Sequence, residues 1–202
     1  MTASRAPSST SASLFLRTWL IWTAGFLAFP PAGLAGTAVA GRVDDPIAAV
    51  VGGAVAGLVI GAAQALLSRG RLDIRRWAPA TSIGMGLGLL VGAVTVGHET
   101  SLADLVLMGA LTGVVLGVAQ ALALPGRTRL RWVWAAALPG LWALGWTATT
   151  LGGISVDEQF TVFGAYGAVT FSALSGLLLQ VLLPYQAAAA ADSAPTPVGA
   201  RT

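Results

Sequence analysis

Six apolar stretches, at about 14–36, 47–67, 77–97, 102–123, 132–152 and 160–183, are separated by the chain's only clustered charges. Each has the ~20 residues that a helix rising about 1.5 Å per residue needs to cross ~30 Å of hydrocarbon. Apolar residues make up 55% of the chain and charged residues 9%, against roughly 25% charged in soluble domains, so the chain requires lipid as its solvent. The expected fold is an all-α integral membrane protein with six transmembrane helices. A single membrane domain covers 14–186. The flanking tails, 1–13 and 187–202, are rich in Ala, Ser, Thr and Pro, have little to bury, and are expected to be disordered.

The charges set an orientation. All eleven basic residues are Arg. Arg69, Arg71, Arg75 and Arg76 follow the second span, and Arg127, Arg129 and Arg131 follow the fourth; Arg5 and Arg17 precede the first and Arg201 lies in the last tail. Asp44, Asp45, Glu99, Asp104, Asp157 and Glu158 occupy the opposite turns, with Arg42 as their one cation. The positive-inside rule places the Arg-rich side and both termini in the cytoplasm of a bacterial inner or plasma membrane. A rival reading takes 14–40 as a signal peptide cleaved after Ala38-Val39-Ala40; the apolar segment is longer than a typical signal core, which favours a retained first span. The scatter of Arg through short turns argues for topology and against nucleic-acid binding. The Arg69, Arg71, Arg75, Arg76, Arg127, Arg129 and Arg131 side chains are candidate contacts for anionic lipid head groups.

The spans also repeat. Trp19, Trp77 and Trp134 open the odd spans, 58 and 57 residues apart, and Gln64, Gln120 and Gln180 close the even ones, 56 and 60 apart. Small residues at every fourth position precede each Gln: Gly53, Gly57 and Gly61; Gly109, Gly113 and Gly117; and Gly164, Ala168, Ser172 and Gly176. Such a stripe lines one helix face and lets a second helix approach closely enough for dispersion to hold the pair. The reading is three tandem αα-hairpins, about 14–67, 77–123 and 132–184, related by rotation about the membrane normal in a pseudo-threefold bundle. Asp44 and Asp45, Ser101 with Asp104, and Ser155 with Glu158 are read as helix caps in the outer turns. Trp19, Trp22, Trp77, Trp132 and Trp134 are read as interfacial anchors. Trp142 and Trp146, inside the fifth span, are assigned to lipid or helix packing, and Pro139 is expected to free a carbonyl.

Little in the chain can do chemistry. It has no Cys, and His98 stands alone beside Glu99, so a transition-metal cluster has no ligand set. Ser82, Ser172 and Ser175 lack an intramembrane His or Lys to activate them, and the spans lack the central charged residues on which ion-coupled carriers rely. No catalytic, cofactor or metal site is expected. The intramembrane polar groups of note are Gln64, Gln120 and Gln180, which either bond a neighbouring helix or converge as a polar ring. The function these features support is a non-enzymatic structural or partner-binding membrane protein, in contact with the bilayer and with a membrane protein as its possible partner. The alternative is a small-solute channel or facilitator through the bundle axis.

Overall fold

A computed structural model describes residues 9–154 and 162–183. Among these the chain is helical, without strands: α1 (Ser9–Thr23), a 3-10 turn (Ala24–Ala28), α2 (Phe29–Ala40), α3 (Pro46–Leu67), α4 (Ile74–Thr95), α5 (Leu102–Ala123), α6 (Arg131–Leu151) and α7 (Ala165–Leu182). The 3-10 turn joins α1 and α2 into one 29-residue span, Ala12–Ala40. That span and α3, α4, α5 and α7 are long and apolar enough to cross a membrane. Helix α6 has the length, at 21 residues, but its Trp, Thr, Gly and Pro content keeps it out of that class.

The first span runs past the expected end at residue 36, to Ala40, and Pro30 and Pro31 do not break it. They stand in the first turn of α2, where helix N–H groups have no intrahelical acceptor and a missing donor costs nothing. Asp45 caps α3 by accepting from the amides of Ile47 and Ala48, at 2.7 and 2.8 Å. The Ser101 hydroxyl accepts from the Asp104 amide and donates to that residue's carboxylate. Asp73, in the Arg-rich turn, caps α4 by accepting from Arg75 at 2.9 Å. The Ser155–Glu158 pair lies outside the described residues.

The turns after α4 and α6 close alike. Gly97 and Gly153 take left-handed backbone, with φ of 61° and 74°, and the next residue donates back to the helix: His98 to the Ala93 carbonyl, and Ile154 to that of Thr149. This six-to-one closure satisfies carbonyls that a helix end leaves open. His98 is thus the half-buried closing residue of a helix.

Each helix packs on its chain neighbour, and α7 returns to pack on α1. The core holds two groups of rings. Trp77 of α4 meets Trp134 of α6 edge-on at 5.7 Å between centroids, and both are fully buried. Phe163, just before α7, lies 4.5 Å from Trp142, 5.4 Å from Trp146 and 5.8 Å from Phe29, which stacks on it from α2. Such offset and edge-on pairs add about 0.5–1.5 kcal/mol each beyond simple burial. Leu58, Leu66, Val114, Leu122 and Val181 face outward, exposed, as lipid-contacting side chains are.

A candidate polar interior and its arginine turns

The glycine stripes decide where the glutamines end up. A methyl group at Gly53 would lie 2.9 Å from the Met85 carbonyl oxygen, one at Gly57 2.7 Å from that of Thr81, and one at Gly61 2.8 Å from the Thr81 side chain. The three positions run antiparallel along α4, so that helix rests directly on the backbone of α3. On α5 the pattern recurs: Gly109 against Trp142 and Trp146, Gly113 against the Leu138 carbonyl at 2.6 Å, and Gly117 against that of Ala135 at 2.8 Å. Ala135 stands four residues before Pro139, so its carbonyl lacks the usual helical donor, and the Gly117 backbone covers it. In α7, Gly176 meets the indoles of Trp22, at 2.7 Å, and Trp19, at 3.2 Å. The α3 stripe thus faces α4, the α5 stripe faces α6, and Gly176 of α7 faces α1.

Each Gln closes its stripe on the same side. Gln64 accepts a hydrogen bond from the Trp77 indole at 3.0 Å. Gln120 accepts from the Trp134 indole at 3.0 Å and donates to the Thr81 hydroxyl at 2.9 Å, which in turn donates to the Trp77 carbonyl. Gln180 donates to the Thr18 hydroxyl of α1 and accepts from the Arg71 guanidinium at 3.0 Å. All three amides are buried. They are held by different partners, drawn in each case from another helix or turn.

These bonds correct the reading of the tryptophans. Trp77, Trp134 and Trp22 do not sit at a wet interface: they are 0%, 0% and 2% exposed. Trp22 donates to the Ser175 hydroxyl at 3.1 Å and the half-buried Trp19 to the Ala173 carbonyl at 2.9 Å. The N–H that would let an indole anchor in head groups serves equally well to pair a buried amide. Trp132 alone of the five is exposed, at 56%. Trp142 and Trp146 are packed in the aromatic cluster, and their N–H groups find no acceptor among the described residues.

The seven turn arginines divide by role. Arg71 is buried, 7% exposed; its Nε donates to the Ser68 carbonyl, and Nη1 to Gln180 and to the Leu183 carbonyl at 3.3 Å. Arg131, half-buried, repeats the local part of this: Nε donates to the Thr128 carbonyl and Nη2 to those of Pro125 and Gly126. In both turns a guanidinium gathers backbone carbonyls at or just beyond a helix end. Arg69, Arg75, Arg76, Arg127 and Arg129 are exposed. Arg76 lies 4.0 Å from Asp73, a distance at which an exposed pair contributes little. Sequence reasoning missed Asp73 as a cap, although an Asp directly before a helical run is the usual start signal. It also missed the Arg71–Gln180 contact, for which no local signal exists.

Comparison with family models, with curated proteins and with solved structures finds no match for this chain.

Proposed function

We propose that this chain is a non-enzymatic, multi-pass protein of a bacterial inner or plasma membrane, in which the bundle is a packed structural or partner-binding unit and no solute path. The observation that carries this reading is the commitment of the buried amides. Gln64, Gln120 and Gln180 are each engaged by indole, hydroxyl or guanidinium groups, and buried aromatic rings pack between the helices. Polar groups spent on helix-to-helix bonds act as fasteners worth about 1 kcal/mol each. Helix α6 serves as the sixth crossing in this reading, because it packs antiparallel along α5 from Gly117 to Gly109. The units are three tandem hairpins with a pseudo-threefold relation, and both termini lie on the cytoplasmic, Arg-rich side.

Flux through liposomes tests the packed interior. Vesicles carrying the protein should be no more permeable to water, glycerol or small ions than empty ones, whereas flux abolished in a Gln64→Leu, Gln120→Leu, Gln180→Leu triple variant would establish the channel instead. Epitope tags at residues 1 and 202 test the topology. Both should be reached only in opened cells, and a tag accessible from outside would overturn it.

A further inference from the structure

The two Arg-rich turns do more than orient the bundle: they enclose a cleft of about 330 Å³ between the start of α4 and the end of α5. Gly70, Arg71, Asp73, Arg76, Gly126 and Arg127 line it. Its size is at the low end of the ~300–1,000 Å³ typical of small-ligand sites, enough for a head group and too small for a whole lipid. A methyl group added at Gly70 or Gly126 would meet nothing within 4 Å, so both border open space. Three arginines and one aspartate are among the lining residues. The Asp73 carboxylate is already engaged by the α4 amide of Arg75 and lies 4.0 Å from Arg76, and Arg127 has no ion-pair partner among the described residues.

The three arginines differ in a useful way. Arg71 is fixed by the Ser68, Gln180 and Leu183 oxygens, so one wall of the cleft is rigid before any ligand arrives. Arg76 and Arg127 are exposed and can close on a bound anion. A planar guanidinium offers paired N–H donors that match phosphate oxygens. Within four residues of the lining residues in sequence, the chain carries exposed leucines: Leu66 is 71% exposed, Leu122 63% and Leu130 61%. A charged hollow next to exposed leucines matches an amphiphile, with phosphate in the hollow and acyl chains along the helices, and basic pockets between membrane helices bind anionic head groups in this manner.

We propose that this cleft is a binding site for the phosphate of an anionic phospholipid, gripped by Arg76 and Arg127 against the fixed Arg71. The site rests on the membrane placement proposed above, and its test reads the cleft alone. Short-chain phosphatidylglycerol would be titrated into the detergent-solubilised protein by calorimetry, next to short-chain phosphatidylcholine, glycerol 3-phosphate and inorganic phosphate. Phosphatidylglycerol should bind saturably, near one per chain, and the others at least about tenfold more weakly. The Arg76→Gln, Arg127→Gln double variant should lose about tenfold or more in affinity, as two near-surface arginines at ~1 kcal/mol each imply. Arg75→Gln, Arg129→Gln, which removes the same charge outside the cleft, should lose less than about threefold. Equal losses in the two double variants would overturn the site in favour of diffuse attraction. Glycerol 3-phosphate or inorganic phosphate binding as tightly as the lipid would overturn the lipid as ligand. Because the variant residues are exposed, an unchanged detergent melting temperature is expected. The ligand comparison on the unaltered protein decides the lipid assignment even if a variant misfolds. Vesicle leakage with intact cleft binding would count against the packed interior and leave this site standing.

Discussion

The α3–α4 and α7–α1 junctions place a glutamine at the end of a small-residue stripe, and they complete it differently. Between α3 and α4 the turn is short, glycines rest on backbone carbonyls, and the Trp77 indole reaches Gln64. The α5–α6 junction follows the same plan with Trp134 and Gln120. Between α7 and α1 no turn joins the helices. Ala168 and Ser172 replace two glycines of the stripe, the nearest atoms to a methyl group at Gly176 are indole atoms of Trp22 and Trp19, and the acceptor of Gln180 is taken by Arg71 from the α3–α4 turn. Trp19, which the sequence spacing groups with Trp77 and Trp134, donates instead to the Ala173 carbonyl. Where a turn sets the register, one residue type can be relied on to reach its partner. Where it does not, a long, charged side chain spans the gap.

The largest test of this contrast is bulk on the stripes. Gly57→Leu and Gly113→Leu should each destabilise the protein by about 3 kcal/mol or more in detergent melts, because the added side chain collides with backbone that cannot yield. Gly176→Leu should cost less, since it meets tryptophan edges. If all three cost the same, the closure is as tight as the linked pairs. Next in size is Arg71→Met. It removes the guanidinium that joins Gln180, Leu183 and Ser68, and should cost ~2–3 kcal/mol, the range for leaving buried polar groups without partners. Hydrogen exchange should show α7 opening while α3–α4 stays protected; uniform exchange would mean that the latch is not local. Trp77→Phe keeps a ring and removes one N–H. It should cost about 1 kcal/mol, the measured scale of interhelical bonds in membranes. At the bottom, Leu58→Ala and Val114→Ala, both exposed, should fall within ~0.5 kcal/mol of zero.

The legible and illegible parts of this molecule divide by the range of the physics. Hydropathy is local, so the ends of α3 and α5 lie within a residue of where composition puts them, and Asp45 and Ser101 act as the caps that their position before a helix implies. A stripe such as Gly53, Gly57, Gly61 tells which residues share a face; it does not tell which neighbour that face meets. Hence the partners of the three glutamines were open. Trp77 and Trp134 misled because an indole near a span's end satisfies two conditions equally well, a wet head-group layer and a buried amide, and composition weighs only the first. The Arg71–Gln180 bond joins residues 109 positions apart, and no pattern within either segment encodes it.

That separation has a bearing on how the protein comes into being. A ribosome delivers α3 and α4 long before α7, at about 5–20 residues per second, so the Arg71 side chain emerges seconds ahead of the oxygens of Gln180 and Leu183. A guanidinium poised at the edge of hydrocarbon without them is costly, and until α7 is inserted the cheapest resting place for it is the water or head-group layer. The turn therefore waits in a provisional state, held open by its own charge, and the last described helix to be made is the one that locks the first Arg-rich turn. A chain that stalls before α7 lacks the Gln180 and Leu183 oxygens that hold Arg71 in the finished protein.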